Sequence, residues 1–328
     1  MLKAKWFKGN LHCHTTESDG NATPEFVTRW YRRHGYDFLV LSDHNHLTLL
    51  EYGAGKRRFK RPLMIPGEEI SAQIMGGTVP IHINGIGISR VLEPIDAGGV
   101  LPTIQANVNA ILGAGGIASI NHPNFHWAFG HEEIKQVTGA SLLEIFNAHP
   151  ATNTWGGSGR PSHVEIWDRV LSADRVIFGV ATDDSHQYTD FTPAMDNPGR
   201  GWVVVRAKEL SQEAIVEGLA SGDFYSSTGV MLTDLELSPD ILRVKVRTEG
   251  DKVYGVKFTG RDGAILAESV VFGPLFGPSG EDTPGPPWDR GTSESEATYR
   301  PRGDEGYVRA TVSAPDGYHA WTQPVFLP

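Results

Sequence analysis

His12 and His14 stand two apart in the run Asn10-Leu11-His12-Cys13-His14-Thr15-Thr16-Glu17-Ser18-Asp19-Gly20. Side chains on an extended segment alternate, so the two imidazoles share a face while Cys13 takes the other. Neutral imidazole is a favoured ligand of divalent metals, and Asp19 on the following turn adds a hard oxygen donor. A His-x-His pair alone is equally compatible with an incidental pair in an apolar segment. Similar groups further along the chain shift that balance towards a metal site.

Those groups sit where apolar runs stop. Asp37-Phe38-Leu39-Val40-Leu41 reads as a buried strand and ends in Ser42-Asp43-His44-Asn45-His46. The same order recurs before Glu68-Glu69, before His82, before Asn121-His122-Pro123, and in Val176 to Ala181 before Thr182-Asp183-Asp184-Ser185-His186. Helices are expected between them. Pro24 to His34 has Thr23 as N-cap, Pro24 in the first turn and Gly35 as its stop, and Thr103 to Leu112 carries Ile104, Val108, Ile111 and Leu112 on one stripe. Strands alternating with helices argue for a parallel sheet, and chemistry collected at successive strand ends argues for closure into a barrel.

With these motifs in order, the chain resembles the PHP (polymerase and histidinol phosphatase) superfamily over roughly its first two-thirds. The matches are His12-x-His14 with Ser18-Asp19-Gly20, then Ser42-Asp43-His44-Asn45, Asn121-His122-Pro123 and Asp184-x-His186. It is similar in particular to the carbaryl-hydrolase-like (CehA/McbA-like) branch, through Lys8 to Thr15, Gly35-Tyr36-Asp37-Phe38, Ile166-Trp167-Asp168, Thr182 to His186, Phe224 to Gly229 and Ala320 to Pro324. The resemblance implies an α/β fold, a distorted seven-stranded (β/α) barrel, and two or three divalent ions (Zn, Mn or Fe). Their ligands would be His12, His14, Asp19, His44, Glu69, His82, His122, Asp184 and His186. Glu69 and Asp184 match the family spacing, and their neighbours Glu68 and Asp183 are candidates for supporting contacts.

Several other residues have plain readings. His34 closes a helix and is expected to cap it. His131 and His319 are expected in solvent, while His46, His126, His149 and His163 remain weaker candidates for substrate contact. Arg160 and Arg200 lie in glycine-rich loops, where a guanidinium could hold a phosphate or carboxylate. Gly115-Gly116 follows a helix instead of opening one, so neither nucleotide fingerprint is matched.

The chain has 328 residues, 39% of them hydrophobic, enough for two domains with substantial cores. A net charge of −10 argues against general nucleic-acid binding, which needs a basic surface, and the expected partner is a small-molecule substrate. Cys13 is the single cysteine, so no intrachain disulfide forms. No apolar run reaches a membrane span and the first residues lack a signal-peptide core, making cytoplasmic residence the expectation. Beyond the helical pattern Gln212 to Ala220 the texture becomes short alternating runs, Leu232 to Leu237, Ile241 to Arg247, Val253 to Phe258 and Tyr307 to Val312. These suggest a small β-sandwich over 230–328, after a barrel over 1–229. Phe272 to Gly291, rich in Pro, Gly and acids, reads as a long loop or insertion.

Clustered divalent ions lower the pKa of a bound water from 15.7 to about 7 in the best case and polarise the bond under attack. No Gly-x-Ser-x-Gly elbow is present, and a buried Cys13 would be inert, so a covalent intermediate is not expected. The expected activity is a metal-dependent phosphoesterase acting on a small phosphoester with metal-activated hydroxide. His126 would protonate the leaving group, and Arg160 or Arg200 would hold the anion. The same site would serve hydrolysis of a carboxylic ester, carbamate or amide, for which Trp127, Phe129 and Trp155 could form an apolar pocket. A non-catalytic metal-binding module is the reading from another class; the complete ligand set speaks against it.

Overall fold

The computed structural model describes residues 4–50, 62–272 and 292–328. The chain forms two compact units, Met1–Ser226 and Ser227–Pro328. The expected loop over Phe272 to Gly291 lies, from residue 273 on, outside the described residues. Among the described residues no helix is long and apolar enough to cross a membrane.

The first unit is mixed α/β. One run of strands has the order β10 (Phe224–Ser227), β9 (Trp202–Ala207), β1 (Lys5–Asn10), β2 (Phe38–Leu39) and β3 (Leu63–Met64). A five-stranded sheet follows in sequence order: β4 (Gly67–Ile74), β5 (Val79–Ile86), β6 (Ile117–Ile120), β7 (Ala140–Asn147) and β8 (Phe178–Thr182). Helices α1 (Pro24–Arg33), α2 (Val100–Gly113), α3 (His131–Ile134), α4 (His163–Ser172) and α5 (Gln212–Ser221) lie between strands. Two isolated parallel bridges extend the pairing beyond the strand ends, Cys13 with Ser185 and His44 with Glu69.

The expected all-parallel sheet is corrected. β1, β2 and β3 are parallel, as are β6, β7 and β8, but β5 is antiparallel to both β4 and β6, and β9 is antiparallel to β1. The cause is local. Only Met75-Gly76-Gly77-Thr78 joins β4 to β5, and so short a connection can join only antiparallel neighbours. Its backbone takes φ of 52°, 70° and 85° at Met75, Gly76 and Gly77, a left-handed path that two glycines make accessible.

α1 follows local chemistry. The Thr23 side chain accepts from Phe26 N, Pro24 occupies the first turn, and Gly35 leaves the helix at φ 77°. His34 caps it as expected, its Nδ1 2.7 Å from Trp30 O and its ring stacked on Trp30 at 3.7 Å. α2 opens three residues before the expected Thr103, because Pro102 sits in the first turn, where a missing N–H leaves nothing unpaired.

The second unit has β11 (Leu232–Ser238), β12 (Ile241–Glu249) and β15 (Thr292–Tyr299) in one sheet. β14 (Ile265–Phe272), β13 (Val253–Thr259), β16 (Tyr307–Ser313) and β17 (His319–Thr322) form another, with β18 (Val325–Phe326) on β16. Alternation sorts the faces: Leu242, Val244 and Val246 of β12 are buried, as are Val256 and Phe258 of β13. The Phe258 and Tyr299 rings stack at 5.4 Å, linking the two sheets.

Both sheets of the first unit feed one apolar cluster, including Phe7, Phe38, Val40, Ile86, Leu142, Val180 and Val203. Beside it β1 and β2 approach closely: a Cβ on Gly9 would lie 2.2 Å from the Phe38 ring. Gly9→Ala should therefore destabilise the protein by about 1–3 kcal/mol through overpacking. Phe38→Leu in the same chain should recover part of that loss. Strictly additive losses in a double-mutant cycle read by chemical denaturation would show that the contact does not limit packing here.

Candidate metal centre

Each candidate ligand belongs to a strand or to the segment leaving it. His12 and His14 follow β1, His44 follows β2, Glu69 lies on β4, His82 on β5, His122 follows β6, and Asp184 and His186 follow β8. They converge. One carboxylate, Glu69, lies 3.4 Å from His12 Nε2, 3.4 Å from His14 Nε2, 2.9 Å from His44 Nδ1, and 3.2 Å from both His82 Nδ1 and His122 Nε2. Asp184 Oδ1 lies 3.1 Å from His12 Nε2 and 3.2 Å from His14 Nε2. Asp19, half exposed, closes the outer side at 3.5 Å from His44 Nε2 and 3.3 Å from His186 Nε2.

Whether these residues fit a metal can be read from one proton. Glu144 Oε1 lies 2.6 Å from His12 Nδ1, and a carboxylate accepts, so Nδ1 carries the hydrogen. In the neutral ring Nε2 is then a lone pair facing the Glu69 and Asp184 oxygens, an arrangement that is repulsive without a cation between them. His12 Nε2, His14 Nε2 and His82 Nε2 are buried with no hydrogen-bond partner among the described residues. Five sets among the described residues have donor atoms within 4.8 Å of one another: His12, His14 and Glu69; His12, His122 and Asp184; His44, Glu69 and His82; His14, Asp19, His44 and His186; and His149, His186 and Asp196. Mixed imidazole and carboxylate donors of this kind suit divalent transition metals.

Protonation shows the same unmet demand for positive charge. Burial opposes charge on His12, yet Asp184, Glu69 and Glu144 hold it well above its ordinary value. Burial likewise disfavours charge on His44 and His186, but Glu69 and Asp19 raise the first to about 10 and Asp19 and Asp196 raise the second to about 10. His14, buried beside His186, is pushed down to about 4. Although burial works to raise Glu69, His12, His82 and His44 hold it well below the usual carboxylate range.

Neighbouring carboxylates set the geometry. Asp43 accepts from Thr15 N at 2.7 Å, Thr15 Oγ1 at 2.9 Å and Ser18 Oγ at 2.8 Å, fixing the loop that delivers Asp19. Gly20 is required there, because a Cβ would lie 2.6 Å from the His14 carbonyl. Asp183 points away from the cluster's donor sets and accepts from Tyr31 OH and from the backbone N–H groups of Gly199, Arg200 and Gly201 at 2.7–2.9 Å. Asp184 itself holds φ 46°, a strained value for a non-glycine, kept in place by its N–H bond to His12 O at 2.9 Å. Glu68 accepts from Leu92 N at 2.6 Å on the opposite face of β4 from Glu69, and burial raises its carboxyl to about 7. Cys13 is fully buried, its thiol donating to Val40 O at 3.3 Å and pushed up by burial.

The expected anion-binding and acid residues are placed differently. Arg200 donates to Met195 O and Thr192 O, each at 2.6 Å, and to Asn197 Oδ1 at 2.8 Å, so its guanidinium ties its own loop together. Arg160 is exposed with its guanidinium 4.9 Å above the Trp127 ring. His126 is exposed at φ 51°, and its neighbour Phe125 lines the cavity over the cluster in its place. That cavity, about 110 Å³, also takes in His149 and Thr152. His163 is buried at the start of α4, where desolvation holds it neutral, down to about 3. His46 is half exposed, 3.7 Å from Glu17.

Two residues escaped the sequence reading. Glu144 receives His12 Nδ1 on Oε1, with Thr182 Oγ1 at 2.6 Å, and accepts His122 N at 2.8 Å and Asn147 Nδ2 at 2.9 Å on Oε2. Its signal was a lone carboxylate inside the apolar run Leu142-Leu143-Glu144-Ile145-Phe146. Asp196 lies 3.1 Å from His186 Nδ1 and has no comparable sequence signal.

No protein-family model matches the chain, and no curated protein does. Among solved structures, it is similar to a two-domain protein from Bacteroides vulgatus ATCC 8482, described as containing a predicted PHP-like metal-dependent phosphoesterase. The TM-score is 0.51 at 16% identity, over 99% of this chain and 95% of that one. A candidate metal-dependent phosphoesterase from Bifidobacterium adolescentis ATCC 15703 follows at TM-score 0.37 and 15% identity, over 55% of this chain and 87% of that one. An amidohydrolase from Chromobacterium violaceum, with bound sulfate and no metal, has TM-score 0.37 and 17% identity, over 58% and 93%. The chain shares the fold of the two-domain Bacteroides vulgatus protein. None of these neighbours is described as carbaryl-hydrolase-like.

Glu144→Gln keeps the shape of the side chain but removes the charge that polarises His12. Such partners typically contribute 10–100-fold to metal affinity, so the variant should bind Zn or Mn about 10–100-fold more weakly in chelator competition while remaining folded. Unchanged affinity in a folded variant would remove Glu144 from that role.

Proposed function

We propose that this chain is a metal-dependent hydrolase of small phosphoesters. The observation that carries the reading is the convergence of His12, His14, His44, His82 and His122 on the buried carboxylate of Glu69, with buried nitrogens of His12, His14 and His82 unpartnered among the described residues and Glu69, His44, His82 and His122 lining a cavity. His12, His14, His122, Glu69 and Asp184 would hold ions on the inner side, and His44, His82, Asp19 and His186 on the outer side. When bound, the ions would supply a water of lowered pKa and polarise the bond under attack. Glu144 orients His12 and Asp196 engages His186, so each imidazole presents its other nitrogen inward.

The cavity favours a small polar substrate. Phe125 is the aromatic side chain that lines it, while Trp155 is exposed and Phe129 is buried elsewhere, so the apolar pocket that a neutral ester would need is not assembled from them. A net charge of −10 further disfavours polyanions, although salt screens that repulsion beyond about 8 Å. The first unit is read as a distorted seven-stranded barrel; the bridges Cys13 with Ser185 and His44 with Glu69 support closure by linking β1 to β8 and β2 to β4. The second unit, read as a β-sandwich, contributes no proposed ligand. Placement in the carbaryl-hydrolase-like branch rests on the motifs given above.

The test is a screen of small phosphomonoesters, phosphodiesters, carboxyl esters and oligonucleotides with protein reconstituted with Zn, Mn or Fe. Turnover of a small phosphoester is expected, and His14→Ala and Asp184→Ala should each lose both bound metal and turnover. Turnover of neutral esters alone, or of oligonucleotides alone, would replace this reading. Less than about one metal equivalent per chain, with no activity on adding metal, would favour a non-catalytic module.

A further inference from the structure

We infer that His149 is a substrate-binding hydrogen-bond donor at this site, presenting Nε2–H to an oxygen of the group under attack. The inference rests on the hydrolase reading and adds to it a residue outside the proposed ligand set.

The tautomer is set by the backbone. Ala151 N lies 3.1 Å from His149 Nδ1, and an amide N–H can only donate. Nδ1 is therefore the lone-pair nitrogen, and in the neutral ring the hydrogen resides on Nε2. That nitrogen has no hydrogen-bond partner among the described residues; the nearest carboxylate oxygen, Asp196 Oδ2, is 3.9 Å away, too far for a hydrogen bond. His149 lines the cavity beside Phe125 and Thr152, with its ring edge-on to His186 at 5.4 Å.

The residue is also rigidly held. Its N–H donates to Asn147 Oδ1 at 2.9 Å, and its carbonyl accepts from Thr152 N at 3.1 Å and Thr152 Oγ1 at 2.8 Å. Asn147 in turn donates to Asp184 Oδ2 at 3.0 Å and to Glu144 Oε2 at 2.9 Å. The asparagine that fixes His149 is thus anchored to the cluster, which gives the donor a fixed place relative to the proposed ions. A fixed donor aimed where charge develops stabilises the transition state without reorganising.

A competing role is ligation, because His149, His186 and Asp196 also bring donor atoms within 4.8 Å of one another. His186 argues against it. Its Nδ1 lies 3.0 Å from Asp184 O, a carbonyl that can only accept, so that nitrogen bears a hydrogen, and its Nε2, 3.3 Å from Asp19, belongs to the proposed set with Asp19, which leaves no lone pair for a further ion beside His149.

The experiment compares the metal-reconstituted full chain with His149→Ala and with His149→Gln, whose amide can place an N–H near the Nε2 position. His149→Ala should keep its metal equivalents, lose about 10²–10³ in kcat/KM for p-nitrophenyl phosphate, and bind inorganic phosphate about tenfold more weakly by calorimetry. His149→Gln should recover most of both. Nitrogen-15 NMR of the metal-free protein should show His149 as the Nε2–H tautomer. Loss of a metal equivalent in His149→Ala, an Nδ1–H tautomer, or phosphate affinity and turnover equal to the parent would each overturn the assignment. If the parent hydrolyses carboxyl esters but no phosphoester, the phosphoester reading falls, and the same variants read the donor on the ester. A parent inactive on both classes overturns both.

Discussion

The structure of the first unit depends on holding the Glu69 carboxylate, essentially without solvent exposure, among five imidazoles from four different segments of the chain. An isolated buried carboxylate would take up a proton, and a cluster of buried imidazoles would lose theirs. Placed together, they stabilise each other's charged forms only in part, since His14 is driven down while His44 and His186 are driven up. Such a cluster is costly as a fold element and well matched to divalent ions, the usual compensation for mixed buried donors.

The surrounding architecture supports this constraint. Strands β1, β2, β6 and β8 each lead into candidate ligands just past their ends, and the antiparallel β4–β5 pair adds Glu69 and His82 from within its strands. Three further buried carboxylates divide the remaining work. Asp43 holds the loop of Asp19, Asp183 gathers the backbone of Gly199, Arg200 and Gly201, and Glu144 orients His12. The Arg200 guanidinium then closes the loop that carries Asp196 to His186. Removing any of these would shift a donor by changing what holds it, without touching the donor itself.

The contrast between neighbouring residues shows how finely the pleat sorts roles. Glu68 and Glu69 differ by one position on β4, and so face opposite sides: one meets Leu92 N and rises to about 7, the other meets five imidazoles and stays ionised. Cys13 between His12 and His14 obeys the same rule, and its burial leaves it inert.

Features governed by neighbours in sequence were legible. Thr23, Pro24 and Gly35 bound α1 through hydrogen bonds made within a turn, and the period of two in a strand separated His12 and His14 from Cys13. The proposed ligands could be named because each motif keeps its spacing along the chain. Gly76-Gly77 carried the turn that makes β4 and β5 antiparallel, a local signal that the strand-and-helix rhythm outweighed. Tertiary structure alone decided the rest. Glu144 meets His12 across 132 positions, and Asp183 meets Asn10 across 173, separations at which no local rule operates. It turned Arg200 inward to carbonyl oxygens of its own loop, left Arg160 and His126 exposed, and brought His149 to the cavity instead. Residue type sets what a side chain can donate or accept; which partner it meets depends on the packing of distant strands, and that is decided only when the chain closes on itself.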